Sequence, residues 1–347
     1  MALEFTGALR YPNPRGDWLA LQDEEILDKS LPIVDPHHHI WAQDGNPYSV
    51  ADLAADIGRG HRVVATVFVE AHSSYRAEGP EELKPVGETE AIEKALAARP
   101  DLADRGLCRG IIGKADLTLG GAVERVLAAH SAASPARFRG VRHLVTRDPH
   151  FPNGIALRPS PEGLLKRIDF REGLATVARN GLSFDAMLYH SQLSDLIEVA
   201  RLLPELPIVL DHFGCPLGVG PYKGREDETF RQWRDNIRLL AACPNVAIKM
   251  GGMGMVVTGA TWHEGPRPPS SVDLARAWQP LVETAIEAFG VDRCMFESNF
   301  PVDKGMFSYP VVWNAFKRLA VGASAVEKAA LFHNTAVRVY RLPIPLV

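Results

Sequence analysis

Leu31-Pro-Ile-Val-Asp-Pro-His-His-His-Ile-Trp41 is the stretch whose reading decides this 347-residue chain. Leu31, Ile33 and Val34 form a short apolar run with the branched side chains that strands favour. The run is expected to stop at Pro36 and give way to three histidines. Alternate residues of an extended chain share a face, so His37 and His39 point one way and His38 the other. A His-x-His pair so placed reaches one metal ion, each ring nitrogen at about 2.0–2.1 Å from it. Asp35 is placed to hold a ring or anchor the strand. Taken alone, the triplet fits a surface histidine cluster as well as a ligand pair. Its position at the end of the first strand is what favours ligands.

From Pro32 onward one rhythm recurs, a β-rich run followed by a helical pattern. The runs are Ile33–Asp35, Val63–Glu70, Leu107–Lys114, Phe138–Leu144, Leu182–Leu188, Pro207–Asp211, Val246–Met250 and Arg293–Glu297. Between them lie helical spacings such as Leu193, Leu196, Ile197 and Ala200, or Ala91, Ile92, Ala95 and Leu96 ahead of Pro100. Ser324-Ala-Val-Glu327 reads as a capping box. Strand alternating with helix argues for a parallel sheet, and eight units argue for a closed (β/α)8 barrel. Residues 1–31 read as an N-terminal extension packed on the barrel of residues 32–342, with a short acidic helix expected over Asp23–Lys29. Links from strand to helix, such as Ala71–Gly87, Thr146–Gly163, Phe213–Glu226 and Gly251–Ser271, are long and rich in Gly and Pro. Links from helix to strand are short. Active sites of such barrels sit on the strand-to-helix face.

Composition narrows the function. The chain is 46% hydrophobic and 23% charged, with a formal net charge of −4 and both signs interspersed. No Lys/Arg run recommends nucleic acid or an anionic membrane as a partner. No apolar stretch approaches the roughly 18 residues that span a bilayer. Met1-Ala-Leu-Glu-Phe-Thr-Gly7 lacks the basic-then-apolar pattern of a secretion signal. Cys108, Cys215, Cys243 and Cys294 are scattered, as reduced thiols of a cytoplasmic protein are. A small-molecule substrate is the expected partner, and a homo-oligomer remains open.

Chemically able residues gather at the run ends. They include Glu70-Ala-His72, Arg142-His143, Tyr189-His190, Asp211-His212, Lys249 and Glu297-Ser-Asn299-Phe-Pro301-Val-Asp303. Arg142 and Lys249 lie inside apolar runs, where an unpaired charge is costly, so each is expected to meet an acid or a ligand. Glu70 is a candidate partner. His190 also fits a helix cap, and His212 a satisfied buried histidine. Trp262 and His263, in the long seventh loop, are candidates for a lid.

Asp35-Pro-His-His-His39, Tyr189-His-Ser-Gln-Leu193, Leu210-Asp-His-Phe-Gly214 and Met295-Phe-Glu-Ser-Asn-Phe-Pro301 together resemble the amidohydrolase superfamily. The closer match is its amidohydrolase-2 branch of metal-dependent (β/α)8 hydrolases, which includes lactonases and some non-oxidative decarboxylases. The resemblance runs from about Pro32 to Leu342. It implies His37, His39 and His190 as ligands of one divalent ion, zinc or manganese. His212 would polarise a carbonyl or shuttle a proton. Glu70, His72, Arg142 and Lys249 would bind the substrate, the cations taking its carboxylate. The family has Asp at the eighth strand as metal ligand and general base; here the position is Asn299. An amide is a weak ligand and takes no proton from water. Either Asp303 or Glu297 replaces it, or the metal is weak or absent, or hydrolysis is not the reaction. Asp303 is the favoured replacement.

The expectation is an enzyme that hydrolyses a lactone of a small carboxylated or sugar-derived compound. The alternatives are a decarboxylase of aromatic or unsaturated acids, which needs no base for water, and a non-catalytic ligand-binding barrel.

Overall fold

Strand β1, Pro32–His38, runs past Pro36, further than the sequence suggests. Proline has no amide to give a ladder, and the pairing with the next strand shifts register between Asp35 and His38. Such a bulge absorbs the missing donor and re-aims the side chains beside it. The computed structural model describes residues 9–42, 46–157 and 159–347. The further strands are β2 (Arg62–Val69), β3 (Gly110–Lys114), β4 (Phe138–Arg142), β5 (Ser183–Ala186), β6 (Ile208–Leu210), β7 (Val246–Met250) and β8 (Cys294–Phe296). Neighbours pair in parallel in chain order, β1 to β8. Just past β8 the chain bonds back to β1, with Asn299 N donating to His37 O (3.0 Å) and His39 N to Phe300 O (2.7 Å). The fold is a (β/α)8 barrel.

Apolar side chains sort into two layers. Val34, Val67, Ile112, Val209, Ala247 and Met295 cluster inside the barrel with Tyr340 and Leu342 from the C-terminal end. Ile33, Phe68, Ile111, Phe184 and Phe296 belong to the larger cluster shared with the helices. Strands buried on both faces read as the short apolar runs seen in the sequence. Helix Leu193–Leu202 buries Leu193, Leu196, Ile197 and Ala200. Helix Val86–Ala98 ends ahead of Pro100, and Ser324 with Glu327 forms the expected capping box. The four cysteines are free and buried. Among the described residues no helix is long and apolar enough to cross a membrane.

The acidic stretch Asp23–Lys29 forms no helix; a short one occupies Gly16–Leu19 instead. So brief a segment does not hold helical structure by itself, and tertiary partners claim its polar groups. Ser271 N donates to Glu24 (2.7 Å), Asn314 Nδ2 to Glu25 O (2.9 Å) and Lys317 Nζ to Leu27 O (2.7 Å).

Candidate active site

Lys249, on β7, is fully buried inside the barrel. Its ammonium donates to Asp185 on β5 (2.7 Å) and Asp211 after β6 (3.0 Å), and lies 3.1 Å from His37 Nδ1. Tyr340 Oη also donates to Asp185, at 2.6 Å. Burial alone would lower the Lys249 pKa, but the two acids outweigh it and raise it. Lys249 is therefore no ligand for a substrate carboxylate: its donors serve the barrel's own acids. Asp185 is the partner that the sequence reading missed, although a buried lysine demands such an acid.

Above this floor stand His37 and His39, whose Nε2 atoms approach to 3.2 Å. His38 points the other way, with Nε2 at 2.8 Å from Thr66 Oγ1. His39 Nδ1 lies 2.8 Å from Val69 O. A carbonyl only accepts, so His39 carries its proton on Nδ1 and leaves Nε2 bare. Burial first, then Arg142, holds the His39 pKa well below the usual range; burial and Lys249 do the same for His37. Two neutral imidazoles with converging nitrogens fit a divalent cation.

Glu297 joins His37 to His212. Its Oε1 accepts from His212 Nδ1 (2.7 Å) and from His212 N (3.2 Å), and its Oε2 lies 2.9 Å from His37 Nδ1. Burial would raise Glu297, but the two histidines outweigh it and hold the pKa at about 2. Burial would lower His212, but Glu297, then Asp211 and Asp303, lift it above the usual value. His37, His212 and Glu297 also bring donor atoms within 4.8 Å of one another, an alternative grouping for a cation. Both Glu297 oxygens meet Nδ1 atoms of rings, however, which is the position of an acid that orients imidazoles rather than one that holds the ion. The loop after β7 makes room for this pair. A Cβ on Gly252 (φ +69) would stand 2.4 Å from His212 Nδ1, and one on Gly251 would stand 2.3 Å from Glu297 O.

His190 does not join the group. Leu217 N donates to its Nδ1 (3.2 Å) and its ring meets Tyr222 edge-on, the centroids 5.2 Å apart. Its Nε2 is buried with no hydrogen-bond partner among the described residues. Among the described residues the His37, His212 and Glu297 grouping does not include His190, so the structure does not bring the expected third ligand to the pair.

Asn299 adopts a left-handed backbone (φ 55) and its Nδ2 donates to Asp303 Oδ1 (3.0 Å). Asp303 Oδ2 accepts from Gly254 N (3.1 Å). Burial, only partly offset by His212 and these hydrogen bonds, pushes Asp303 up to about 7. Across the mouth, Arg142 Nε donates to Glu70 Oε1 (2.8 Å) and Nη2 to Glu70 O. His72 Nε2 lies 3.2 Å from Glu70 Oε2.

A cavity of about 90 Å³ opens on this mouth. His39, Glu70, Arg142, His212 and Asn299 line it, with Trp41, Met187 and Met255 among its apolar walls. Glu297 and Asp303 stand behind the lining, and His72 and Lys249 are not part of it. Asp303 is buried, hydrogen-bonded to Asn299, and is not among the residues that line the cavity. His263 is a strut rather than a lid over the cavity: its carbonyl accepts from Arg15 (2.6 Å) and its Nδ1 lies 3.3 Å from Met306 Sδ.

Comparison with known proteins finds relatives of the whole barrel. A family model described as Amidohydrolase matches residues 34–342. The uncharacterised protein y4mH of Sinorhizobium fredii is 33% identical, over 90% of this chain and 99% of its own. An L-fucono-1,5-lactonase of Burkholderia multivorans is 29% identical, over 90% of this chain and 97% of its own. The crystal structure of an amidohydrolase from Burkholderia multivorans with bound zinc superposes with a TM-score of 0.69 at 26% identity, covering 90% of this chain and 99% of that one. A barrel with paired histidines at the end of β1 and a histidine after β6, matched from β1 to the C-terminal helix, is an amidohydrolase barrel, and the chain is a hydrolase belonging to the amidohydrolase-2 family.

Proposed function

We propose that the chain hydrolyses a lactone of a small sugar-derived or carboxylated compound, with His212 as general base. The observation that carries this reading is His212 itself: it lines the cavity while its Nδ1 is held by Glu297. Glu297 fixes the tautomer, so Nε2 is the nitrogen free to act, as in a carboxylate–histidine pair. His212 Nε2 takes a proton from water as the water oxygen attacks the lactone carbonyl carbon. The carbonyl oxygen becomes an oxyanion, and Arg142, which lines the cavity, steadies it. When the carbonyl re-forms, the ring C–O bond breaks and the leaving oxygen takes the proton from His212. Lactone and water give one hydroxy acid, with atoms and charge balanced. The name of the Burkholderia relative supports a sugar lactone as the substrate class.

His37 and His39 would hold a divalent ion, zinc or manganese, through their facing Nε2 atoms. Such an ion lowers the pKa of bound water toward about 7 and polarises a carbonyl. Asn299 would offer such an ion an amide in place of a carboxylate.

The test is acid release from a panel of 1,5- and 1,4-lactones, followed at constant pH with and without added zinc. Carbon dioxide release from aromatic and unsaturated acids is measured in parallel. Lactone hydrolysis that falls about 10²–10⁴-fold in His212→Asn supports the reading. Carbon dioxide release with no lactone cleavage would contradict it.

A further inference from the structure

The N-terminal segment crosses the barrel mouth and is pinned at both sides. Leu9 N donates to Ile155 O in the loop after β4 (3.2 Å). Arg15 Nη2 donates to His263 O (2.6 Å) and Trp18 Nε1 to Gly265 O (3.0 Å), both in the loop after β7. Arg15 also lies over the Trp18 ring, 4.5 Å from its centroid. Between these anchors Tyr11, Pro12 and Asn13 line the same cavity as His212 and Arg142. The chain after β8 is shaped to receive them. A Cβ on Gly305 would stand 2.1 Å from Pro12 O and 2.8 Å from Pro12 Cγ. Gly305 has no positive φ, so its backbone accepts alanine and the strap is what excludes a side chain.

We propose that Tyr11, Pro12 and Asn13 form a specificity-determining wall of the substrate pocket. The strap limits the enzyme to compact, hydroxyl-rich ring substrates without bulky substituents. Tyr11, Asn13, Asn46 and Asn299 give the cavity a polar lining suited to such a ring. The cavity they close, about 90 Å³, is small beside the ~300–1,000 Å³ of drug-sized ligand pockets. One backbone and two side-chain hydrogen bonds hold the wall, so its position rests on Gly305 and on the anchors at residues 9, 15 and 18 rather than on the barrel strands. The substrate class named here rests on the lactone reading above; the position of the wall does not.

The test uses the full-length wild type, Gly305→Ala and Tyr11→Ala, with thermal unfolding to establish that each variant is folded. Kinetics are run on an unsubstituted six-membered sugar lactone and on the same lactone carrying an O-benzyl group. Both variants are expected to lose activity on the small lactone through a higher KM and to shift the kcat/KM ratio toward the bulky one by about tenfold or more. Equal factors on both substrates would overturn the proposal. A second readout needs no turnover: carbethoxylation of His39 and His212 by diethyl pyrocarbonate, mapped by peptide mass spectrometry. It is expected to run severalfold faster in both variants than in the wild type, and equal rates overturn the wall. If the wild type cleaves no lactone while the histidines still become accessible in the variants, the lactone reading has failed and the wall stands. If Gly305→Ala does not fold, Tyr11→Ala decides alone.

Discussion

Glu297 stands between two imidazoles, and its charge serves each differently. Toward His37 it steadies a ring that burial keeps neutral; toward His212 it raises a base. The folded pKa of His212 lies above its ordinary 6.5 because Glu297, Asp211 and Asp303 outweigh burial. The base works deprotonated, so kcat/KM should rise with pH through a midpoint above 6.5. In Glu297→Gln burial becomes the dominant influence and that midpoint should move downward, with turnover reduced about 10²–10⁴-fold. Asn299 is the other decisive residue. Asn299→Asp should tighten zinc binding about 10–100-fold, the scale on which a metal site's immediate surroundings act. Competition with a chelating dye measures it, and unchanged affinity would mean that position 299 does not face the histidine pair. His37, His39 and His212 were legible in the sequence because strand periodicity and the order of motifs place them. The surroundings of His190 were not legible, because its Nδ1 contact with Leu217 N comes from a loop 27 residues away.

At the scale of the element, the glycines after β7 set how close two strands' loops approach. Gly252→Ala would drive a methyl to 2.4 Å from His212 Nδ1, at a φ of +69 that L-residues rarely adopt. Activity should fall about 10²-fold or more, as misplacing a catalytic group by an ångström does. Circular dichroism should remain that of the folded barrel. Retained activity would show that the Glu297–His212 contact is dispensable. The sequence marked this loop as long and rich in glycine, but the contact between Gly252 and His212 depends on how β6 and β7 pair. The same holds for β1, which continues past Pro36 because its partner accepts a bulge.

For the whole molecule, charge buried inside the barrel ties strands far apart in sequence. Lys249 links β5, β6 and β7 to β1. Lys249→Met leaves Asp185 and Asp211 buried without their cation and should cost about 3–5 kcal/mol, read as a loss of denaturant midpoint. Glu297 adds a pH dependence with a definite sign. Its folded pKa of about 2 lies below the unfolded 4.5, so its stabilisation is present above pH 4.5 and lost as pH falls toward 2. Glu297→Gln should therefore flatten acid unfolding across that window. The barrel itself was legible because eight runs and asymmetric loop lengths recur along the chain. The strap was not, because Arg15 meets a carbonyl 248 residues away and no local pattern announces such a contact. Lys249 was read as a substrate ligand for a related reason: a buried cation shows in sequence, but its Asp185 partner is fixed only by barrel closure.

The most direct measurement is the pH dependence of kcat/KM for hydrolysis of a sugar 1,5-lactone by wild type and Glu297→Gln, with zinc content held equal. The wild type should show a rising limb with its midpoint above pH 6.5, and Glu297→Gln a slower limb shifted to lower pH. A rising limb at the same pH in both proteins, or undiminished turnover in Glu297→Gln, would contradict His212 held by Glu297 as the base.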